Sequence, residues 1–239
     1  MFLFIFVSDT IKTVTMKACK FWIVPGLFFL VASILNVCGK IWNPVLAETV
    51  KPALMPLLAL TAVVAAGGAE RKEIRILVTA LLFGCVGDVF LIFDGFLPFV
   101  FGMVAFLTGH IFYMCLFGGK SWKGFTWKTW VPAIVAMAAL TAVLIVLIGV
   151  NGAMLVPMCV YGFALMMLMF SGLSGAVRFG GCAWWTIFCG TVLFTFSDAC
   201  IALGTFGHDF AGREVVIMVT YIAAQALLAC GAIKLSKQA

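Results

Sequence analysis

The stretch WVPAIVAMAALTAVLIVLIG, residues 130–149, runs for 20 residues without a charged side chain. A helix needs about 20 apolar residues to cross a bilayer, whereas a membrane barrel strand needs about 10 alternating ones. The whole chain shares this character, because 65% of its 239 residues are hydrophobic, only 10% are charged, and the mean hydropathy is +1.23. Soluble domains carry roughly a quarter charged residues. The sequence therefore predicts an all-α, multi-pass membrane protein embedded in a lipid bilayer.

Seven further apolar runs bring the predicted transmembrane helices to eight, over 20–38, 50–68, 74–93, 97–118, 130–149, 152–172, 183–204 and 213–233. The breaks between them are short, so we expect antiparallel hairpins in a single eight-helix domain covering residues 19–239. Residues 1–18 are expected to form an interfacial lead-in. Their apolar opening MFLFIFV is too short to span, and no cleavage-site pattern follows it.

Lysine and arginine predict the orientation through the positive-inside rule. The N-terminus, the C-terminus and every second loop hold 12 of the 15 basic residues, and the alternate loops hold only Lys40, Lys51 and Arg213. This split favours an even number of spans with both termini in the cytoplasm. The absence of a targeting segment favours a bacterial inner membrane.

Several site classes are excluded or disfavoured. The nine cysteines stand singly, without the paired spacing of a zinc ribbon or a disulfide framework. Only two histidines are present, so a three-histidine zinc site cannot form, and we expect no metal. The net charge of +6 is too thinly spread to suggest a nucleic-acid partner.

Two aspartates are predicted at membrane depth, Asp88 in "GCVGDVFLIF" (84–93) and Asp198 in helix seven. Helices three and seven run in the same direction, so both carboxyl groups are expected at one depth, about 8–10 Å below the outer boundary. Each costs roughly 2.5–3.5 kcal/mol to insert, which favours a shared functional site. The alternative is that each only bonds a neighbouring helix. Gly84 is expected to admit a neighbouring helix, and Thr191 and Thr195 to orient Asp198.

Helix four presents a stripe of Gly102, Phe106, His110 and Tyr113, which either lines a pocket or packs against a helix. His110 is a candidate site residue or a histidine bonded to a backbone carbonyl. Lys51, at the predicted start of helix two, either enters the site or extends to the headgroups. Weaker candidates, expected to bond between helices, are Tyr161, Tyr221 and Gln225. His208 is expected on the surface.

Five segments, taken in order, resemble the marker segments of the YhhN/TMEM86 family: "KPALMPLL" (51–58), "GDVFLIF" (87–93), "FGMVAFLTGHIFY" (101–113), "TFSDACIA" (195–202) and "YIAAQALL" (221–228). The resemblance runs from helix two to helix eight. It implies a membrane hydrolase without a metal cofactor that cleaves the vinyl ether bond of lysoplasmalogens. The products are a fatty aldehyde and a glycerophospho-ethanolamine or glycerophosphocholine. Site positions carried over by the resemblance are Lys51, Asp88, His110, Tyr113, Asp198 and Gln225.

Vinyl ether hydrolysis needs a protonated acid, because protonation of the alkenyl carbon is the slow step and leaves an oxocarbenium ion for water to attack. Burial disfavours the charged form of a carboxyl group, and two nearby carboxyl groups favour protonation of one of them. Asp88 and Asp198 are therefore expected to act as acid and base in an order left open. His110 is expected to position water or share the proton, and Lys51 to meet the lipid phosphate.

A rival hypothesis is a proton-coupled transporter of a small solute or lipid, since buried carboxyl groups and a histidine also form proton relays. Helices three and seven share a [GS]-D-x-x-[LI] pattern, around Asp88 and Asp198, which indicates a parallel four-plus-four repeat of a kind known in transporters. The helices lack the pairs broken by glycine or proline at midspan that carriers often use. A purely structural scaffold leaves the matched acids unexplained.

Overall fold

The computed structural model describes residues 21–238, and within this range the chain forms eight α-helices and no strand. The helices are α1 (Ile23–Trp42), α2 (Pro44–Ala66), α3 (Lys72–Phe90), α4 (Phe96–Ser121), α5 (Trp127–Ile148), α6 (Leu155–Phe179), α7 (Gly181–Thr205) and α8 (Arg213–Gln238), with a 3₁₀ turn at Gly152–Met154. The prediction of an all-helical chain is confirmed. The predicted lead-in over residues 1–18 lies outside the described residues.

Seven of these helices are long and apolar enough to cross a membrane, so the chain is a multi-pass membrane protein. The exception is α3, which carries Lys72, Glu73, Arg75 and Asp88 within 19 residues. It also ends at Phe90, three residues before the predicted end, so Asp88 lies in its last turn. That α3 crosses the membrane therefore stays a prediction.

The predicted start of α2 was wrong. The helix begins at Pro44 and not near residue 50, because the Asn43 side chain accepts a hydrogen bond from the Leu46 N–H and proline suits the first helical position. Lys51 therefore lies two turns inside α2 and not at its start. This depth lets the ammonium group approach the end of α3.

The helix α2 continues through two prolines, Pro52 and Pro56. Because Pro56 has no N–H, the carbonyl of Pro52 loses its usual partner four residues later. The thiol of Cys85 in α3 donates to that carbonyl at 3.2 Å. In lipid, such a replacement keeps a freed backbone group satisfied and fixes α2 against α3.

The helices pack in an order that leaves α5 at the periphery. The most extensive contacts join α7 to α8, α3 to α4 and α1 to α2, and α8 also contacts α1, α2 and α3. The partner of α4 on its other side is α6. By contrast α5 packs mainly on α6 and barely touches α7. The buried residues Asp88, His110 and Asp198 lie in an interior bounded by α2, α3, α4, α6, α7 and α8.

Candidate active site

A cavity of about 520 Å³ opens at the end of the bundle where α1 stops and α2 begins. We call it the vestibule and define it by its charged residues, Lys40, Lys51, Asp94, Arg213 and Glu214. The ends of α3 and α7 and the start of α6 also line it. Lys40, Lys51 and Arg213 therefore meet at one cavity. They are the three basic residues that the sequence places in the loops poor in lysine and arginine.

The first buried carboxyl group, that of Asp88, lies behind the vestibule and has two partners. Lys51 Nζ lies 3.5 Å from its Oδ1, and the Tyr221 hydroxyl donates to its Oδ2 at 2.8 Å. The Asp88 residue is 2% exposed, and the Lys51 side chain, 11% exposed, reaches from the vestibule to it. Lys51 is thus turned toward the site and does not simply extend to the headgroups.

The second buried carboxyl group, that of Asp198, has a different set of partners. The Tyr161 hydroxyl donates to its Oδ2, and His110 Nε2 lies 3.9 Å from the same oxygen. His110 is 1% exposed, and neither of its ring nitrogens has a hydrogen-bond partner within the described residues. Of the two alternatives for His110, the one in which it bonds a backbone carbonyl is therefore wrong.

The Asp88 and Asp198 clusters are neighbours separated by aromatic rings. Phe194 packs edge-on against both His110, at 4.8 Å between centroids, and Tyr221, at 5.6 Å. Phe106 also packs edge-on against Tyr221 at 6.0 Å. The predicted stripe on α4 is buried, and its Phe106 and His110 lie at this interior. Phe194 is a site residue that the sequence did not indicate, since a phenylalanine in an apolar span carries no distinguishing signal.

All three tyrosines of the chain make buried hydrogen bonds in this interior. Tyr161 and Tyr221 bond the two aspartates. Tyr113 donates to Gln225 Oε1 at 2.5 Å, and this hydrogen bond joins α4 to α8. The predicted bonds of Tyr161, Tyr221 and Gln225 between helices are confirmed. A Cβ on Gly84 would lie 3.3 Å from both the Tyr221 hydroxyl and the Gln225 amide, so glycine there makes room for α8.

Two expectations about single residues have opposite outcomes. The hydroxyls of Thr191 and Thr195 donate to backbone carbonyls of their own helix, so neither orients Asp198. This is the usual alternative for a threonine inside a helix. His208 is exposed in the connection before α8, as predicted.

Two smaller cavities lie next to the vestibule and share lining residues with it or with each other. The first, which we call the neck, has about 30 Å³ and shares Leu91, Phe99 and Ile201 with the vestibule. The second, which we call the groove, has about 40 Å³ and lies between α5, α6 and α7. Asp198 and Tyr161 line both the neck and the groove. Asp198 therefore lies between a cavity lined by charged residues and one lined mainly by apolar residues.

The sequence profile of the YhhN family matches residues 46–232. The chain belongs to the YhhN family. The match begins in α2 and ends in α8, and it includes all the residues of the two carboxyl clusters.

Proteins similar to this chain include two that are named lysoplasmalogenase TMEM86B. Human lysoplasmalogenase TMEM86B is 31% identical over 160 residues, which is 67% of this chain and 64% of the human protein. Mouse lysoplasmalogenase TMEM86B is 31% identical over 216 residues, or 89% of this chain and 87% of the mouse protein. The chain thus spans just under two thirds of the human relative. No solved structure matches the chain significantly.

Proposed function

We propose that this protein is a membrane-embedded hydrolase that cleaves the vinyl ether bond of lysoplasmalogens. The observation that carries the proposal is the position of Asp198, which lines both the neck beside the charged vestibule and the apolar groove. It is buried beside an imidazole that has no hydrogen-bond partner among residues 21–238. A lysoplasmalogen has the same order of parts, with a charged headgroup, a vinyl ether and a hydrocarbon chain. The names of the TMEM86B relatives support the same substrate.

Asp198 is the general acid in this proposal. Asp88 lies 3.5 Å from the ammonium of Lys51, which stabilises it as a carboxylate, whereas the polar neighbours of Asp198 are a phenol and a neutral imidazole. A carboxyl group without a cation and away from water favours its protonated form. The Asp198 O–H gives its proton to the alkenyl carbon remote from the ether oxygen, which leaves an oxocarbenium ion and the Asp198 carboxylate.

His110 positions the attacking water. Its Nε2 and Asp198 Oδ2 are 3.9 Å apart, a separation suited to a water that bridges them. The water oxygen bonds to the oxocarbenium carbon, and its proton passes to the Asp198 carboxylate directly or through His110. The resulting hemiacetal transfers its hydroxyl proton to the glycerol oxygen, the bond between that oxygen and the former vinyl carbon breaks, and the aldehyde leaves. Asp198 is then protonated for the next cycle.

Asp88, Lys51 and Tyr221 form a second polar cluster, and Phe106 and Phe194 lie between it and the Asp198 cluster. Lys51 reaches both Asp88 and the vestibule, so its ammonium is placed to meet the phosphate of the headgroup. Asp88 holds the Lys51 ammonium in place through their ion pair, and the Tyr221 hydroxyl fixes the other oxygen of the carboxylate. Tyr113 and Gln225 hold α4 against α8.

The hydrocarbon chain occupies the groove. Since α5 barely touches α7, a small displacement of α5 opens the groove to the bilayer. A single-chain amphiphile then slides its tail between these helices while its headgroup stays in the vestibule. A lysolipid, which has one hydrocarbon chain, suits this arrangement.

We also propose that all eight helices span, with both termini cytoplasmic, a four-plus-four parallel repeat and a bacterial inner membrane as location. The distribution of basic residues supports the orientation. At the end opposite the vestibule, Arg71 donates to the Ser236 carbonyl, Arg178 donates to the Ser121 carbonyl at 3.0 Å, and Lys120 pairs with Glu73 at 3.1 Å. This concentration of cations is expected of a cytoplasmic face.

The test is aldehyde release from alkenyl-glycerophosphocholine by the purified protein in detergent, with and without a chelator and with no ion gradient. We expect release that the chelator does not change and that Asp198→Asn abolishes. Glu70→Gln, an exposed carboxyl group in the α2–α3 connection, is the matched control and is expected to retain full release. Folded protein that releases no aldehyde from any lysoplasmalogen would overturn the hydrolase proposal and favour proton-coupled transport.

A further inference from the structure

The vestibule carries charges of both signs on different elements. Lys40 and Arg213 share the carboxylate of Glu214, at 2.9 Å from Lys40 Nζ and 3.4 Å from Arg213 Nη2. Arg213 also pairs through Nε with Asp209 at 2.8 Å, and this hydrogen bond lowers the pKa of Asp209. Lys51, from two turns inside α2, is the third cation of the vestibule, and it pairs with Asp88 behind the cavity.

The turn between α3 and α4 contributes a second carboxylate to the lining of the vestibule, that of Asp94. Asp94 lines the vestibule, and within residues 21–238 no basic group lies within 4.0 Å of its side chain. Gly95 next to it has φ +124°, a conformation that only glycine adopts readily, and α4 begins directly afterwards. This tight turn fixes Asp94 at the rim of the cavity.

Aromatic side chains accompany Asp94. The vestibule is lined by four phenylalanines, Phe93, Phe96, Phe99 and Phe206. Three of them belong to the same turn and first helical turn as Asp94. Aromatic faces attract organic ammonium groups, and the attraction is strongest where a carboxylate supplies a full negative charge nearby.

We propose that the vestibule binds a zwitterionic phospho-ammonium headgroup in one orientation, with its phosphate at Lys40, Lys51 and Arg213 and its ammonium at Asp94 and the phenylalanines beside it. This inference rests on the proposed function, because it places the headgroup of the lysoplasmalogen. The cavity, about 520 Å³, is of the size that small-molecule sites use. The proposed orientation makes Asp94 a specificity-determining residue that acts on the ammonium and not on the phosphate.

The experiment compares two substrates that differ only in the ammonium group, alkenyl-glycerophosphocholine and alkenyl-glycerophosphate, in phospholipid-free detergent. We expect Asp94→Asn to raise KM for the choline substrate about tenfold, to change KM for the phosphate substrate less than about twofold, and to leave kcat for both near that of the wild type. Arg213→Gln is expected to raise KM for both substrates. Glu70→Gln is the control for loss of a carboxylate elsewhere.

Binding of a saturated alkyl-glycerophosphocholine, which has no vinyl ether to cleave, separates this inference from the hydrolase proposal. If no lysoplasmalogen is cleaved but Asp94→Asn still weakens this binding, the hydrolase proposal fails and the headgroup site stands. If aldehyde is released and Asp94→Asn changes KM for both substrates equally, or for neither, the headgroup orientation is overturned.

Discussion

The Nε2 atom of His110 lies 3.9 Å from Oδ2 of Asp198, and neither nitrogen of this fully buried ring has a partner within the described part of the protein. Burying an imidazole without hydrogen bonds costs free energy, typically about 1–3 kcal/mol for an unsatisfied polar group. The ring is fixed by aromatic neighbours instead, with Tyr161 at 5.4 Å and Phe194 at 4.8 Å between centroids. A polar group that packing holds in place without satisfying it is suited to bind a reactant.

The first prediction concerns the stability and activity of His110→Leu. Leucine fills the apolar volume and removes two unpaired nitrogens, so we expect a free energy of unfolding equal to that of the wild type or higher. Loss of water positioning is expected to lower kcat about tenfold to a hundredfold. Thermal unfolding in detergent and aldehyde release measure the two quantities. A variant that keeps the wild-type kcat would reduce His110 to a space-filling role.

The second prediction concerns Asp198→Asn. An amide is no proton donor to carbon, and general acids typically contribute about 10²–10⁴ in rate, so we expect kcat to fall at least about a hundredfold. Binding of the saturated alkyl lysolipid is expected to stay within about threefold, because Asp198 acts on the vinyl ether and not on the headgroup. Lost binding together with lost activity would indicate misfolding or a binding role for Asp198.

The third prediction uses isotopes to locate the proton and the broken bond. In D₂O, the aldehyde product is expected to carry one deuterium on the carbon next to the carbonyl, delivered by Asp198. In H₂¹⁸O, the glycerol oxygen is expected to stay ¹⁶O, because the hemiacetal releases it intact. Mass spectrometry of both products measures this. Label in the glycerol would mean that water attacks the glycerol carbon and would contradict the oxocarbenium pathway.

Much of this architecture follows from the sequence. Runs of about 20 apolar residues determine the helices, and the depth of Asp88 and Asp198 within them indicates the site. The three tyrosines also indicate the site from the sequence, more strongly than their place among the weaker candidates suggests. Each lies inside a span, where a phenolic hydroxyl needs a partner, and Tyr221 and Gln225 stand four residues apart on one face of α8.

Other features needed the tertiary structure. The two aspartates were expected to work as a pair, but each belongs to its own cluster, because Phe106 and Phe194 fill the space beside them. The vestibule is not among the features predicted from the sequence, although three basic residues point to it. Lys40, Lys51 and Arg213 are the only basic residues assigned to one side of the membrane, and three cations on a basic-poor face call for an explanation.

The fourth prediction concerns the ion pair of Lys51 and Asp88. Removing one partner of a buried pair leaves the other charge uncompensated and typically costs about 3–5 kcal/mol. Lys51→Met is therefore expected to lower the thermal stability strongly, and Lys51→Met with Asp88→Asn is expected to restore most of it. Both variants should show a raised KM, since both lack the ammonium that meets the phosphate. Equal stability of Lys51→Met and wild type would mean that the pair contributes nothing.

The final prediction concerns the groove as the site of the hydrocarbon chain. Ala199 lines it from α7, one residue after Asp198, and is only partly buried. A leucine there fills a space of about 40 Å³, so we expect Ala199→Leu to lower kcat/KM about tenfold for a substrate with a 16-carbon alkenyl chain. For a substrate with a short alkenyl chain, which ends before the groove, kcat/KM is expected to fall less than about threefold. Ala139→Leu, on an exposed face of α5, is the matched control and should change neither value. Equal losses for both chain lengths would place the tail elsewhere in the bundle, since only a filled groove discriminates by length.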